Sequence, residues 1–525
     1  MEKYKETIIW SIVILSIFIG VLIRFPNNFP IQTGHHTFDV AQQILETGTP
    51  QLKSEIIYFR AIGYTYTLAG FFYILGVSDF TTKFVGFLFG VGSIFLIYLF
   101  TKKISNKKAA IIATILMSLS PWAVRYSAER WYSFYIFFFL LTLYLYYNCL
   151  ITKDNIRKRY FIILPVIFYI TINTTITGTF IMFLFPLIYV FNYKNNSLKI
   201  KSILNYILKN KDKIILTFLL FLVFILHYFI MPQRILPEFI SPEEYFGSPN
   251  LTKFSITNIN FSFVEEIFKI YPIESILIFI FLIAILFTNL KYKKESLPFY
   301  LLFLMFIVTI IMEVGKSFQP RYLFWLIPIF YICLSIILNY ICKIIKNIKI
   351  KSIFLIILMI YIINPLDLYH VNSLDKCNVN IKDWYLYSTS MKFTYDSRTP
   401  VEYVLERFNP ETDLIILGTS GYGSYINKEI NSRYAKDIAP RRHAEGSRIA
   451  FYEGDYRLTY TGASILFHDD LEKFNILLNS YPRIWLLDSY TTPLNRYPIY
   501  EIIENNFKQV YIGCNVGSGV LLYER

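Results

Sequence analysis

The sequence predicts a mainly α-helical protein: a polytopic membrane bundle of about eleven spans, followed by a soluble α/β domain. Three observations predict it. The 525 residues are 55% hydrophobic and 19% aromatic but only 17% charged, more apolar side chain than a globular core of this length can bury. The apolar residues gather in runs of roughly 17–25, the length that crosses the hydrocarbon of a bilayer. The basic residues, 51 Lys and Arg against 37 Asp and Glu for a net charge of +14, fall in short segments between those runs, at 102–108, 152–159, 194–213, 291–294 and 343–351. Membrane proteins mark their cytoplasmic side in this way, so the partner implied is a bilayer and no nucleic acid is expected. Disordered, collagen-like and disulfide-scaffold classes are excluded by the same composition.

The first span is Thr7–Ile23. It follows Lys3 and Lys5, and Arg24-Phe-Pro-Asn-Asn offers no small-residue cleavage site, so it reads as retained. Further spans are expected near 81–101, 108–122, 132–151, 160–175, 176–193, 214–231, 272–290, 297–314, 322–342 and 352–365. The stretch Ala61–Val77 is ambiguous, and charge decides it. If it crossed, every later basic segment would face outward; left uncrossed, all face the cytoplasm. Leu68, Phe71, Phe72 and Leu75 share one helical face, as in a helix lying in the membrane surface. Residues 24–80 then form an outer loop containing that helix, with 122–131, 232–271 and 315–321 also outside. These outer loops carry about ten Lys and Arg over roughly 115 residues, against about twenty-one in inner loops of roughly half that length.

After Asn364-Pro365 hydropathy falls, giving a division into a membrane domain, 1–365, and an extracytoplasmic domain, 366–525. In the latter Val401–Phe408 and Ile499–Phe507 read as helices, and Leu414–Leu417, Ile484–Leu487, Val510–Ile512 and Val520–Tyr523 as strands. Gly418-Thr-Ser-Gly-Tyr-Gly lacks the lysine of a phosphate loop and reads as a strand-exit turn. The five cysteines show no metal spacing; Cys377 and Cys514 share the oxidising side, as a disulfide or by chance.

Chemistry is sought in the outer loops, where polar groups near membrane depth need a reason. In Thr33-Gly-His-His-Thr-Phe-Asp39, Asp39 is the sole carboxylate between Glu6 and Glu46 and the candidate general base for an acceptor hydroxyl. His35 and His36 are alternative bases or metal ligands. The competing reading is a helix cap with solvated histidines. In Ser120-Pro-Trp-Ala-Val-Arg125-Tyr-Ser-Ala-Glu129-Arg130-Trp-Tyr132, Arg125 and Arg130 suit a phosphate, because guanidinium offers forked donors and stays charged; lipid anchoring is the alternative. Lys316 and Arg321 in Gly315-Lys-Ser-Phe-Gln-Pro-Arg-Tyr322 break the scarcity of outward basic residues and admit the same two readings. Glu238, Glu243 and Glu244 offer an acceptor path, a divalent cation site or a solvated face. No organic cofactor is expected, and a metal is left open.

The series Ala41-Gln-Gln-Ile-Leu-Glu-Thr-Gly-Thr-Pro50, Ile57-Tyr-Phe-Arg60, Leu75-Gly-Val-Ser-Asp-Phe80, Ser120-Pro-Trp122, Arg130-Trp-Tyr132 and Pro320-Arg-Tyr-Leu323 resembles the GT-C polyprenyl-phosphate-sugar glycosyltransferases, over roughly 1–365. It is most similar to the dolichyl-phosphate-mannose-protein mannosyltransferase-like and aminoarabinose-transferase-like branch. Such enzymes carry an acidic pair that would fall near Thr33-Gly34, where this chain has His35, His36 and Asp39 instead. The resemblance implies a polyprenyl-phosphate-linked sugar donor, a protein, glycan or lipid acceptor, and a single inverting displacement. Arg130, Lys316 and Arg321 would stabilise the leaving phosphate and Asp39 would serve the acceptor. Arg60, Tyr132 and Tyr322, lying in the same motifs, join Arg125 as expected substrate contacts. A flippase or exporter of lipid-linked glycans and an inactive scaffold are the other classes; transport is disfavoured because His227 is among the few titratable groups at depth. Ile-, Lys-, Asn- and Tyr-rich usage points to a prokaryotic plasma membrane, with the N-terminus cytoplasmic.

Overall fold

The computed structural model describes residues 2–25, 36–51, 61–119, 124, 130–151, 159–174, 211–230, 272–287, 294–312, 325–345, 347, 398–409, 412–417, 448–453, 456–461, 480–489, 503–515 and 518–525. Packing divides the chain into two compact units.

The first unit comprises Met1–Phe29, Phe84–Ile235 and Lys253–Leu368, and it is helical. Its elements are α1 (Glu2–Arg24), most of α4 (Asp79–Ile104), α5 (Lys107–Leu119), α6 (Arg130–Tyr146) continued by a π-helical turn (Tyr147–Ile151), α7 (Tyr160–Thr174), α8 (Lys211–Ile230), α9 (Pro272–Phe287), α10 (Leu297–Met312) and α11 (Ile327–Ile344). Among the described residues, Phe80–Ile104, Trp131–Cys149 and Ile327–Ile344 are long and apolar enough to cross a membrane. The expected spans at 176–193 and 352–365 lie outside the described residues. Buried side chains of α4, α5, α6, α10 and α11 form one apolar core, with Trp325, Tyr135 and Phe139 at 1% exposure or less.

Three buried hydroxyls of this unit bond their own helix. Thr114 donates to the Ala110 carbonyl at 2.7 Å, Ser93 to Phe89 at 2.8 Å and Thr174 to Ile170 at 2.9 Å, as apolar surroundings demand of any polar group. Chain ends are set by local chemistry. Asn106 caps α5, its Oδ1 accepting from the Lys108 and Ala109 amides at 3.0 and 3.1 Å. At that same end Glu295, in the 3-10 turn Lys294–Ser296, accepts from Ser105 Oγ at 2.8 Å and Tyr340 OH at 2.5 Å. Lys343 lies 4.9 Å from the Tyr340 ring centre. That end of α5 therefore brings together Lys107 and Lys108, the turn that begins at Lys294, and Lys343.

The second unit comprises Pro30–Lys83, Leu236–Thr252 and Tyr369–Arg525. It holds α2 (His36–Thr47), α3 (Ile62–Leu75), α12 (Arg398–Leu405) and strands β1 (Asp413–Leu417), β2 (Arg448–Glu453), β3 (Tyr456–Thr461), β4 (Arg483–Ser489), β5 (Lys508–Asn515) and β6 (Ser518–Glu524). The strands form one mixed sheet ordered β3-β2-β1-β4-β6-β5, parallel at β1/β4 and antiparallel elsewhere. The strands expected from sequence at 414–417, 484–487, 510–512 and 520–523 are present; β2 and β3 were not anticipated. Val401 and Val404 of α12 pack on Ile415, Trp485, Leu487, Val520 and Leu522. Beneath them Asp413, fully buried, accepts from Trp485 Nε1 at 2.8 Å, Thr412 Oγ1 at 2.6 Å and the Asn409 amide at 3.1 Å, and pairs with Arg483 at 3.4 Å.

The helix expected at 61–77 is α3. Its 14 residues rise about 21 Å, short of the roughly 30 Å of hydrocarbon. The expected apolar face is divided: Leu68 and Phe72 are buried, whereas Leu75 is half exposed beside Tyr73 and Ile74. Phe72 meets Phe38 of α2 edge-on with ring centres 5.2 Å apart, so part of the face that lipid would take is used to seat α2.

Candidate active site

Asp39 and His36 both lie on the first turn of α2, with His36 its first residue. Anchoring comes from the buried Thr37, Val40 and Ala41 and from the Phe38–Phe72 contact. A helix N-terminus presents unpaired N–H groups and a partial positive charge, which favours a carboxylate there over any later position. Farther along, Glu46 is engaged by Gln42 Nε2 at 3.2 Å and Gln43 Nε2 at 2.9 Å. The helix stops at Gly48, whose φ of 78° suits the left-handed cap and whose amide donates to Ile44 at 2.9 Å. His35 and Arg60 lie outside the described residues. Ala61, next to Arg60, is buried at φ 49°, a left-handed conformation that a non-glycine residue adopts only when its surroundings impose it.

Arg130 is the first residue of α6. A helix N-terminus carries partial positive charge and unpaired N–H groups, which favour an anion there over a cation. Tyr132, expected at the substrate, is 7% exposed within the apolar core, its ring 4.3 Å from that of Trp131. Arg125, Lys316, Arg321 and Tyr322 lie outside the described residues. Among the described residues no three His, Cys, Asp or Glu side chains gather as a metal site would require.

A residue not nominated from sequence stands out at the end of α5. Arg24, the last residue of α1, is 1% exposed. It donates through Nη1 to the Ser118 carbonyl at 2.7 Å and through Nη2 to the Met117 carbonyl at 2.7 Å, with a third bond from Nη1 to Gly20 at 2.9 Å. The C-terminal ends of α1 and α5 are thus side by side. The signal was a lone arginine closing an apolar run, which reads equally well as an interfacial anchor.

Residues 60–230 match the family model described as dolichyl-phosphate-mannose-protein mannosyltransferase. Arg60, Arg125, Arg130 and Tyr132 fall inside that stretch; Asp39, Lys316 and Arg321 fall outside it. The apo crystal structure of ArnT from Cupriavidus metallidurans superimposes with a TM-score of 0.54 at 10% identity, covering 98% of both chains. The chain has a GT-C fold. The archaeal oligosaccharyltransferase AglB from Archaeoglobus fulgidus, in complex with an inhibitory peptide and a dolichol-phosphate, gives a TM-score of 0.49 at 14% identity over 92% of this chain and 70% of its own. The undecaprenyl phosphate-bound ArnT gives 0.49 at 10% identity over 99% and 98%. No curated protein sequence matches the chain.

Proposed function

We propose that this GT-C protein is an integral-membrane glycosyltransferase, moving one sugar from a polyprenyl-phosphate donor to a protein, glycan or lipid acceptor on the outer face of a prokaryotic plasma membrane. The observation that carries the reading is the mannosyltransferase family match across 60–230, which contains the second outer loop and its two arginines. Asp39 takes the proton from the acceptor hydroxyl as its oxygen bonds to the anomeric carbon. The bond from that carbon to the phosphate oxygen breaks, and the polyprenyl phosphate leaves with the electron pair, inverting the centre. Arg130, with Arg125, Lys316 and Arg321, balances the charge that gathers on the leaving phosphate. Arg60, Tyr132 and Tyr322 complete the substrate contacts.

Sidedness is supported by two contacts inside the helical unit. Because Arg24 meets Met117 and Ser118, α1 and α5 run the same way, as they do when α4 crosses between them and α3 does not. The end of α5 that holds Ser105, Glu295 and Tyr340 also gathers the lysines, and the positive-inside rule makes that end cytoplasmic. The loops leading to Asp39 and to Arg130 then both leave from the outer end.

The test incubates the purified protein in nanodiscs with labelled polyprenyl-phosphate mannose and polyprenyl-phosphate aminoarabinose, comparing Asp39→Asn with the parent. Loss of a general base costs about 10²–10⁴ in rate. Undiminished transfer by the variant removes Asp39 from the mechanism, and a parent inactive with every donor overturns the glycosyltransferase reading.

A further inference from the structure

We infer that the lysine-bearing ends of α4, α5 and α11 bind one anionic phospholipid, its acyl chain lying along α4 and its phosphate among the lysines. The inference needs only that α4 crosses a bilayer and stands apart from the glycosyltransferase reading. It begins with the divided surface of α4. Leu96, Ile97 and Phe100 are buried in the apolar core, whereas Phe95 and Leu99 are 54% and 43% exposed. Because α4 holds one of the stretches long and apolar enough to cross a membrane, acyl chain is what covers those two side chains. Steps of four and three residues set Phe95, Leu99 and Lys102 on one helical face. Lys102 lies roughly 10 Å along the axis from Phe95, within the roughly 15 Å of one leaflet's hydrocarbon. Its Nζ is 5.7 Å from the Tyr98 ring centre, so the ammonium is held at the end of the apolar strip.

Four more lysines surface at this corner. Lys103 on α4 and Lys107 and Lys108 on α5 are exposed. The fourth comes from α11, which is buried from Ile327 to Asn339 and emerges in its last turn, where Lys343 and the 77% exposed Ile344 reach the surface. Glu295 ties that turn to the α4–α5 corner, accepting from Ser105 Oγ at 2.8 Å and Tyr340 OH at 2.5 Å, and Lys343 Nζ is 4.9 Å from the Tyr340 ring centre. Residues 98–108 and 340–347 contain no acid, so five lysines stand against the one carboxylate of Glu295.

Ammonium groups held together repel, and a phosphodiester placed among them relieves that repulsion. A zwitterionic headgroup brings its own cation and gains little. Free phosphate has no chain to lay on Phe95, Leu99 and Ile344 and forgoes the apolar burial. The chemistry that fits both halves of the surface is a single lipid with net negative charge at its head.

The experiment titrates the full-length protein, in neutral detergent, with phosphatidylglycerol or phosphatidylcholine of the same chains, and reads the first bound lipid by native mass spectrometry. Each lysine near an anionic headgroup carries about fivefold in affinity, so Lys102→Gln/Lys103→Gln weakens phosphatidylglycerol by about thirtyfold and leaves phosphatidylcholine within about twofold of the parent. Lys102→Arg/Lys103→Arg keeps both charges and binds like the parent. Arg407→Gln/Lys508→Gln removes the same charge from the sheet of the C-terminal domain and leaves both constants unchanged, which separates position from net charge. Excess inorganic phosphate leaves the lipid bound. A parent with equal affinity for the two lipids overturns the site, as does an equal loss in the Arg407→Gln/Lys508→Gln protein or displacement by inorganic phosphate. All of these are read from binding alone, so a protein that transfers no sugar tests the site equally well.

Discussion

Alanine is the better helix former, yet Gly20→Ala should destabilise this protein, and the structure sets the size of the effect. Replacing a mid-helix glycine by alanine gains about 1 kcal/mol in propensity. Against that, the new Cβ would lie 2.8 Å from the Ser118 carbonyl oxygen, 2.9 Å from Ser118 Cβ and 3.2 Å from Arg24 Nη1. The nearest obstacle is backbone and cannot rotate away, so α1 and α5 must part by roughly half an ångström, at an overpacking cost of about 1–3 kcal/mol. The same movement stretches the Arg24 bonds to Met117 and Ser118, each worth about 1.5–3 kcal/mol when intact. The costs exceed the gain, for a net loss of about 2 kcal/mol. Unfolding in mixed dodecyl maltoside and dodecyl sulfate micelles, followed by circular dichroism, reads this directly. A midpoint equal to or above that of the parent would mean that the α1–α5 contact is looser than described, and the account of Arg24 would lose its footing.

Gly70→Ala reverses the sign. Among the described residues nothing beyond its own helix lies within 4 Å of a Cβ built at Gly70, which sits inside α3, so stability rises by about 0.5–1 kcal/mol; a fall in the thermal midpoint would show that this face is covered. Asp413→Ala leaves the Trp485 indole and Arg483 without their shared buried acceptor and costs about 3–5 kcal/mol, seen as rapid proteolysis of the C-terminal domain; a protease-resistant variant refutes it. Tyr511 stacks on Tyr403 with ring centres 5.1 Å apart, and its hydroxyl is raised above its ordinary 10.0, first by the hydrogen bond with Tyr403 and then by burial. A group with a raised folded value contributes stability that is complete below its unfolded value and lost as pH rises through the folded one. The domain therefore weakens above about pH 10, and Tyr511→Phe flattens that decline; an unchanged alkaline profile refutes the assignment.

How much was legible varied with the range of the interaction. The helical runs, the basic segments and the strands β1, β4, β5 and β6 were readable because each depends on hydropathy and periodicity within a few residues. The hairpin β2–β3 carried a local signal that went unread: alternation in Ile449 and Phe451, then Leu458 and Tyr460, around Gly454-Asp455. Its pairs, Phe451 with Leu458 and Ile449 with Tyr460, follow from that alternation. In the candidate site, sequence placed Asp39 and Arg130 in outer loops from composition and charge, and the structure sets each on the first turn of a helix. Tyr132 is 7% exposed, and in sequence an aromatic ring beside an arginine reads the same whether it faces a cavity or a core.

By itself the amino-acid sequence determined that this chain carries runs apolar enough for a bilayer and where its basic segments lie between them, since solvent and lipid act on each residue singly. Tertiary structure decided which ends meet. That Arg24 caps α5, that Glu295 joins Ser105 to Tyr340, and that Asp413 on β1 meets Trp485 and Arg483 on β4 are facts about residues far apart in the chain. The partners of Arg24 and Glu295 are backbone carbonyls and hydroxyls, which every sequence has in abundance, so only packing could choose among them.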